Sequence, residues 1–211
     1  VHPSQRRPSD DELLDAARDV FADVGYRDAS VAAIARRGGT TKPTLYAHLG
    51  NKESMYQRVV GREMILMQTS LFSVYDTLDV GDVGSAVRVA VTAGMQYAAQ
   101  HPASFALLMS ANDPGSPTAD MINAVYREFA VRIAQLIDQT LAARNDSART
   151  PVPGAVTRTV ATMVVATGLE AARYALLVEG MEPVDATDVV SRFICAGIES
   201  VTDPDPQLPT R

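Results

Sequence analysis

The side chains best placed to do chemistry lie at residues 41–49, and the chemistry they offer is recognition, not bond-making. Leu45 and Leu49, four apart, turn one side of a short helix inward. Lys42, Thr44, Tyr46, Ala47 and His48 are then left facing outward. A cation, a hydroxyl, a phenol and an imidazole on one short helix can meet base edges and phosphates in a major groove. No catalytic spacing accompanies them. His2, His48 and His101 lie in separate segments without triad or ligand spacing, and Cys195 falls on an apolar stripe where a packed thiol is expected. Glu170 and Arg173, three apart, read as an intrahelical ion pair. Neither a phosphate-binding glycine loop nor a metal motif is present, so no catalytic residue, metal or cofactor is expected.

The elements that must position this helix are legible on either side. Val31, Ile34 and Ala35 form an apolar stripe on a preceding short helix, and Gly38 and Gly39 break it where the chain turns. Thr41 suits the N-cap of the second helix, and Pro43 is tolerated in its first turn. Upstream, Ser9, Asp10, Asp11 and Glu12 form a capping box with acids on the positive helix end. Leu13, Leu14, Ala17, Val20, Phe21 and Val24 continue that helix until Gly25 ends it. Asn51 is placed to cap a long helix with Tyr56, Val60, Met64, Met67, Leu71, Tyr75 and Leu78 on its inner face. Residues 79–84 should close it.

The run Ile34-Ala35, Gly39, Thr41-Lys42-Pro43-Thr44-Leu45-Tyr46-Ala47-His48-Leu49 and Asn51-Lys52-Glu53 resembles the DNA-binding segment of TetR-type regulators. It covers roughly the first quarter of the chain and is specific when read whole. Thr40, Gly38 and Leu49-Gly50 stand where the common pattern has Val, Ala and Phe-Pro, and are expected to loosen the packing behind the turn. The resemblance implies a homodimer that places one copy of this helix in each of two successive major grooves of an inverted-repeat operator. Thr41, Lys42, Pro43, Thr44 and Tyr46 would then lie at base edges and the nearby backbone. Ser30, Tyr46, His48 and Lys52 would meet phosphates. Arg6 and Arg7 would form an arm that adds minor-groove or phosphate contacts.

Composition sets the frame. The chain has 211 residues, 46% of them hydrophobic, with 13 Gly and 12 Pro placed mostly between periodic runs. A net charge of −6 argues against indiscriminate nucleic-acid binding. Its distribution points the other way, because residues 29–62 carry Arg36, Arg37, Lys42, Lys52, Arg58 and Arg62 against the single acid Glu53. A basic head on an acidic body is expected. One cysteine excludes an intrachain disulfide and fits a reducing cytoplasm. The N-terminal residues lack an apolar run, so no signal peptide is expected. The uncharged stretch at residues 159–169 is too short to span a bilayer, so a cytoplasmic protein without a membrane partner is expected.

Beyond the head, residues 84–100 read as a helix with one narrow polar stripe, Arg88, Thr92, Gln96 and Gln100, and otherwise small or apolar side chains. That pattern predicts burial on most of its circumference. A short helix with Phe105, Leu108 and Met109 follows. A longer one then runs to about residue 143, with Ile122, Val125, Phe129, Ile133, Leu136 and Leu141 inward, and residues 145–154 form a surface loop. Residues 155–178 are apolar almost all round, with small residues at Ala161, Ala166, Gly168, Ala171, Ala172 and Ala175. Asp185 is read as the cap of a last helix carrying Val189, Val190, Phe193, Ile194, Gly197, Ile198 and Val201. Residues 155–201 are therefore expected to form a homodimer interface, two helices from each subunit.

A small, mainly apolar ligand is expected among Thr92, Met95, Gln96, Met109, Tyr126 and Met163. Equally open is that the polar stripe faces solvent and the methionines are ordinary core. The expected fold is all-α: an N-terminal three-helix helix-turn-helix head (9–64), joined by a long helix to a C-terminal helical ligand-binding and dimerisation body (65–201), and a disordered tail (202–211). The expected function is a sequence-specific DNA-binding transcriptional regulator, a homodimeric repressor released from double-stranded operator DNA by a small molecule. The competing readings are a helical dimeric interaction module with weakened or lost DNA binding, and a DNA-binding activator.

Overall fold

A computed structural model of the chain describes residues 8–75, 77–78, 82–113, 115–143 and 152–202. Every regular element among them is a helix, as the sequence leads one to expect. They are α1 (Asp10–Asp28), α2 (Val31–Arg37), α3 (Lys42–Leu49), α4 (Lys52–Tyr75), α5 (Val83–Gln100), α6 (Pro102–Ser110), α7 (Ala119–Ala143), α8 (Gly154–Ala172) and α9 (Pro183–Thr202). A π-helical segment, Arg173–Val178, continues α8. The arm with Arg6 and Arg7, most of the loop at 145–154 and the tail beyond Thr202 lie outside the described residues.

Local chemistry sets the helix ends. Ser9 caps α1 through a complete capping box: its hydroxyl accepts from the Glu12 amide at 3.2 Å, and Glu12 accepts from the Ser9 amide at 2.7 Å. Gly25, at φ +75°, ends the regular part of α1, and one more turn carries the chain to Ala29. Asn51 accepts from the Ser54 amide at 2.8 Å and so starts α4 as expected. Asp185 does not cap α9. The helix opens at Pro183, whose fixed φ suits a first helical position, and Asp185 falls in the first turn.

Two compact units divide the chain. The first comprises described residues to Gln68 together with 101–123. Its core contains Leu13, Phe21, Ile34, Leu45, Leu49, Met55, Tyr56 and Val59. The Tyr56 ring meets Phe21 edge-on at 4.9 Å and Tyr26 at 4.7 Å. Helix α6 packs on α1, so a segment that the sequence assigned to the body lies with the head. Gly38 is not a loose point. A Cβ there would sit 3.1 Å from Leu13 Cδ2 and 3.4 Å from Ala16 Cβ, so the missing methyl lets α1 approach the turn closely.

The second unit comprises described residues of 69–100 and from 124 onward. Within it α5, α8 and α9 pack on one another, and Phe72, Tyr75 and Phe129 form an aromatic cluster. On α7 the buried row runs Val125, Phe129, Ala134, Ile137 and Thr140, while Ile133, Leu136 and Leu141 are half-buried at its margin. Helix α5 is less buried than its composition suggests. Met95, Tyr97 and Ala98 are buried, but its N-terminal half is partly open and Val89 is exposed.

The broad apolar stripe of α9 separates into two faces. Ala186, Val190, Ile194 and Ile198 turn into the unit, and Val189, Phe193, Gly197 and Val201 turn out. Helix α8 and its π-helical continuation divide likewise, with Val160, Ala161, Val165 and Ala172 inward and Met163, Tyr174, Leu177 and Val178 outward. The stretch Gly154–Val178 has 25 residues, and with an 18-residue window of mean hydropathy 1.3 it is long and apolar enough by composition to cross a membrane. Arg158, Glu170 and Arg173 interrupt it, so its uncharged run alone is short. In this fold one side of it is committed to packing against α9.

Candidate nucleic-acid interface

Helix α3 is held from behind and open in front. Leu45 and Leu49 are fully buried, whereas Thr41, Lys42, Pro43, Tyr46 and Ala47 are exposed. Tyr46 keeps 48% of its surface accessible. Thr41 caps the helix by accepting from the Thr44 amide at 3.4 Å, and the two threonine hydroxyls are 2.9 Å apart. Half-buried Thr44 is thereby drawn towards the cap. The turn before it needs Gly39 at φ +59°, and Gly50 at φ +80° ends α3 where Phe-Pro is common. Ser30 caps α2, accepting from the Ala33 amide at 3.1 Å, and stays exposed. Ser30, Thr41, Lys42, Pro43 and Tyr46 are thus all exposed.

Lys52 and His48 are engaged within the protein. The Lys52 ammonium donates to the Arg27 carbonyl at 2.9 Å and lies 4.9 Å over the Tyr26 ring, stapling the start of α4 to the end of α1. The His48 Nδ1 is 2.7 Å from Asp10 Oδ1, and the second Asp10 oxygen accepts from Arg58 at 2.9 Å. Arg58 also donates to the His48 carbonyl at 2.7 Å.

The electrostatics of the head correct the picture drawn from residues 29–62. Acids of α1 pack against that segment: Asp10 pairs with Arg58, Asp15 with Arg62 at 2.6 Å, and Asp19 with Arg37 at 2.9 Å. Residues 8–62 hold as many acids as bases. Among the described residues Arg36 and Lys42 are exposed without an acidic partner. The carboxyls of Asp10 and Asp19 are held below the ordinary aspartate value. For Asp10 the main cause is the hydrogen bond with His48, followed by Arg58. For Asp19 burial pushes upward, and the Arg18 and Arg37 hydrogen bonds outweigh it. The spacing of Asp11, Asp15 and Asp19 by fours, beside the apolar stripe of α1, was the sequence signal for this acidic row.

The residues expected around a ligand are scattered. Met95 is buried in α5, and Thr92 is half-buried with its hydroxyl bonded to the Arg88 carbonyl at 2.7 Å. Gln96 is exposed, and Met163 is 62% exposed on the outer face of α8, so neither turns into the unit. The inward positions of α8 are those of Val160, Ala161 and Val165, and helical spacing carries Met163 to the opposite side. Tyr126 is half-buried, and burial, reinforced by nearby Glu170, pushes its phenol up to about 12. Met109, half-buried on α6, belongs to the first unit. The expected Glu170–Arg173 pair is present, at 2.5 Å.

Residues 13–59 match the family model described as bacterial regulatory proteins, tetR family. The A-factor receptor protein of Streptomyces griseus is 35% identical over 86 residues, which is 41% of this chain and 27% of that protein. The HTH-type transcriptional activator FasR of Mycolicibacterium smegmatis is 42% identical over 62 residues, 28% of each chain. The chain thus spans about a quarter of the length of these relatives. Likeness in fold extends much further. A TetR-like transcriptional regulator from Rhodococcus sp. RHA1 superposes with a TM-score of 0.75 at 21% identity, over 92% of this chain and 100% of that one. FadR from Bacillus subtilis, solved with stearoyl-CoA, gives 0.73 at 14% identity over 90% and 99%. By sequence the head is similar to the tetR family over residues 13–59, and by fold the chain is similar to TetR-like structures over nearly its whole length.

Proposed function

We propose that this protein is a homodimeric, sequence-specific DNA-binding transcriptional regulator, a repressor released from its operator by a small ligand. The observation that carries the reading is α3. A short helix anchored by two buried leucines offers Thr41, Lys42, Pro43 and Tyr46 together on its open side. Thr41, Lys42, Pro43, Thr44 and Tyr46 read base edges and the adjacent backbone, and Ser30 with Tyr46 reaches phosphate. Lys52 and His48 meet phosphate only by giving up or sharing their internal bonds. The even balance of acids and bases in the head keeps sequence-independent binding weak and leaves affinity to the contacts of α3.

Pairing rests on the outward faces of α8 and α9. Met163, Tyr174, Val178, Val189, Phe193 and Val201 leave an apolar surface of the kind that obligate dimers cover. Joining two such faces gives a four-helix interface within residues 155–201 and sets two copies of α3 about one DNA turn (~34 Å) apart. The second unit takes a largely apolar ligand, a reading supported by the stearoyl-CoA seen with the Bacillus subtilis regulator of the same fold. Thr92, Met95 and Tyr126 remain its candidate contacts. Binding there shifts the population towards a head spacing the operator does not fit. Such a protein works in the cytoplasm. The Mycolicibacterium smegmatis relative is named an activator, which supports the alternative sign of regulation for an operator placed differently about the promoter.

The test is selection. Duplexes enriched by the purified protein from a random-sequence pool should share an inverted repeat. A pool that stays without a common sequence would leave the interaction-module reading in its place.

A further inference from the structure

We infer that Asp10 and Arg58 are positioning residues for the DNA-reading helix, clamping its C-terminal end through His48, and that His48 serves this clamp instead of a phosphate. The inference rests on the DNA-binding reading above. Asp10 lies ahead of the matched segment 13–59, so nothing in the family match assigns it a role.

Helix α3 has eight residues, too few to be stable by its own hydrogen bonds, and only Leu45 and Leu49 bury it. Both leucines act on its inner side, and they leave its rotation and tilt poorly defined. The clamp supplies the missing restraint. One Asp10 oxygen is 2.7 Å from His48 Nδ1, the other accepts from Arg58 Nη2 at 2.9 Å, and Arg58 Nη1 donates to the His48 carbonyl at 2.7 Å. The last bond satisfies one of the carbonyls that a helix end leaves without a partner. Three elements, the first turn of α1, the last turn of α3 and α4, are closed into one ring of charge-assisted bonds.

For the neutral ring, imidazole chemistry excludes the simpler role. An ionised carboxylate is acceptor-only, so His48 must present Nδ1–H to Asp10. In the neutral ring Nε2 then carries a lone pair and has no hydrogen to give a phosphate oxygen. A free carboxylate at this place would repel the DNA backbone across a Debye length of about 8–10 Å. Its presence is accounted for by the two groups it holds.

This last point makes the sign of one substitution decisive. The probe is the duplex enriched by the wild-type protein, with a scrambled duplex as control, and helical content and dimer mass are followed throughout. Under the clamp, Asp10→Ala weakens binding to the enriched duplex by about tenfold or more, although it removes a negative charge. Affinity for the scrambled duplex holds or rises. Asp10→Asn, which keeps an oxygen acceptor, restores most of the loss, and His48→Ala adds little in the Asp10→Ala background. If Asp10→Ala tightens binding to both duplexes, Asp10 only repels and the clamp is overturned. The same holds if His48→Ala alone lowers the salt slope by about one unit, the mark of a lost phosphate contact. Should Asp10→Ala lose its fold, Asp10→Asn decides: specific affinity no better than that of His48→Ala rejects the clamp. A wild-type protein that enriches no sequence rejects the DNA-binding reading itself, and the positioning role with it.

Discussion

The hydroxyl of Ser104 donates a 2.6 Å hydrogen bond to Oε2 of Glu63, a carboxylate buried within the first unit. Arg62 donates to the other oxygen of Glu63 at 2.7 and 3.0 Å and reaches Asp15 at 2.6 Å. The path Ser104, Glu63, Arg62, Asp15 therefore ties α6 and α4 to α1. A buried charge is tolerated only where donors replace water, and here a hydroxyl and a guanidinium do so.

Ser104→Ala removes one donor from that carboxylate and should destabilise the protein by ~1–3 kcal/mol. An exposed serine such as Ser85, changed to alanine, should stay within ~0.5 kcal/mol of wild type. Urea midpoints for both variants check this. Equal midpoints would mean that Glu63 does not depend on Ser104.

Lys42→Ala and Tyr46→Ala should weaken binding to the enriched duplex while helical content and dimer mass stay unchanged, because neither side chain contributes to the core. Lys42 has no acidic partner among the described residues, so its loss should reduce the salt slope by about one unit. Lys52→Ala acts differently. It breaks the bond to the Arg27 carbonyl and the stacking on Tyr26, and should lower thermal stability along with affinity. Titrations across a salt series separate the two kinds of loss.

Much of this molecule is readable from its residues because local signals agree with one another. Capping by Ser9, Thr41 and Asn51, breaks at Gly25 and Gly39, and buried Leu45 and Leu49 all follow from short-range chemistry. What failed to be legible involved partners distant in sequence. The basic segment 29–62 gave no hint that Asp10, Asp15 and Asp19 would neutralise much of it, since those pairs form only when α1 packs across. The return of α6 to the head was hidden for the same reason. On α8 and α9 the composition showed a wide apolar girth, and only the fold divided it into an inward and an outward face. Met163 was misplaced by that ambiguity.

The Asp10 carboxyl titrates below its ordinary value of 3.8, held there chiefly by its hydrogen bond with His48 and next by Arg58. A native value below the unfolded one means that its stabilising contribution is complete above 3.8 and is lost as the pH falls through the lowered native value. The stability gap between wild type and Asp10→Asn should therefore persist down to that region and shrink in stronger acid. Urea melts of both proteins across an acidic series give the gap directly. An undiminished gap in acid, with both proteins still folded, would show that the Asp10 charge contributes nothing.

Pairing is best tested at a residue the folded monomer does not need. Phe193 is 68% exposed on α9, opposite the row of Val190, Ile194 and Ile198 that packs inward. Phe193→Asp removes no internal contact of consequence, yet in a dimer it would bury an unpaired carboxylate, at a cost of several kcal/mol. The expected result is a monomer by sedimentation, with helical content near wild type and binding to the enriched duplex lost, since one copy of α3 cannot span two half-sites. Ala172 is a poorer choice. At 3% exposure it belongs to the interior of its own unit, so a charge there would unfold the monomer and break the dimer together. Val189→Asp, half-exposed on the same outer face one turn earlier, should repeat the Phe193→Asp result. Two intact dimers would move the subunit interface off α9.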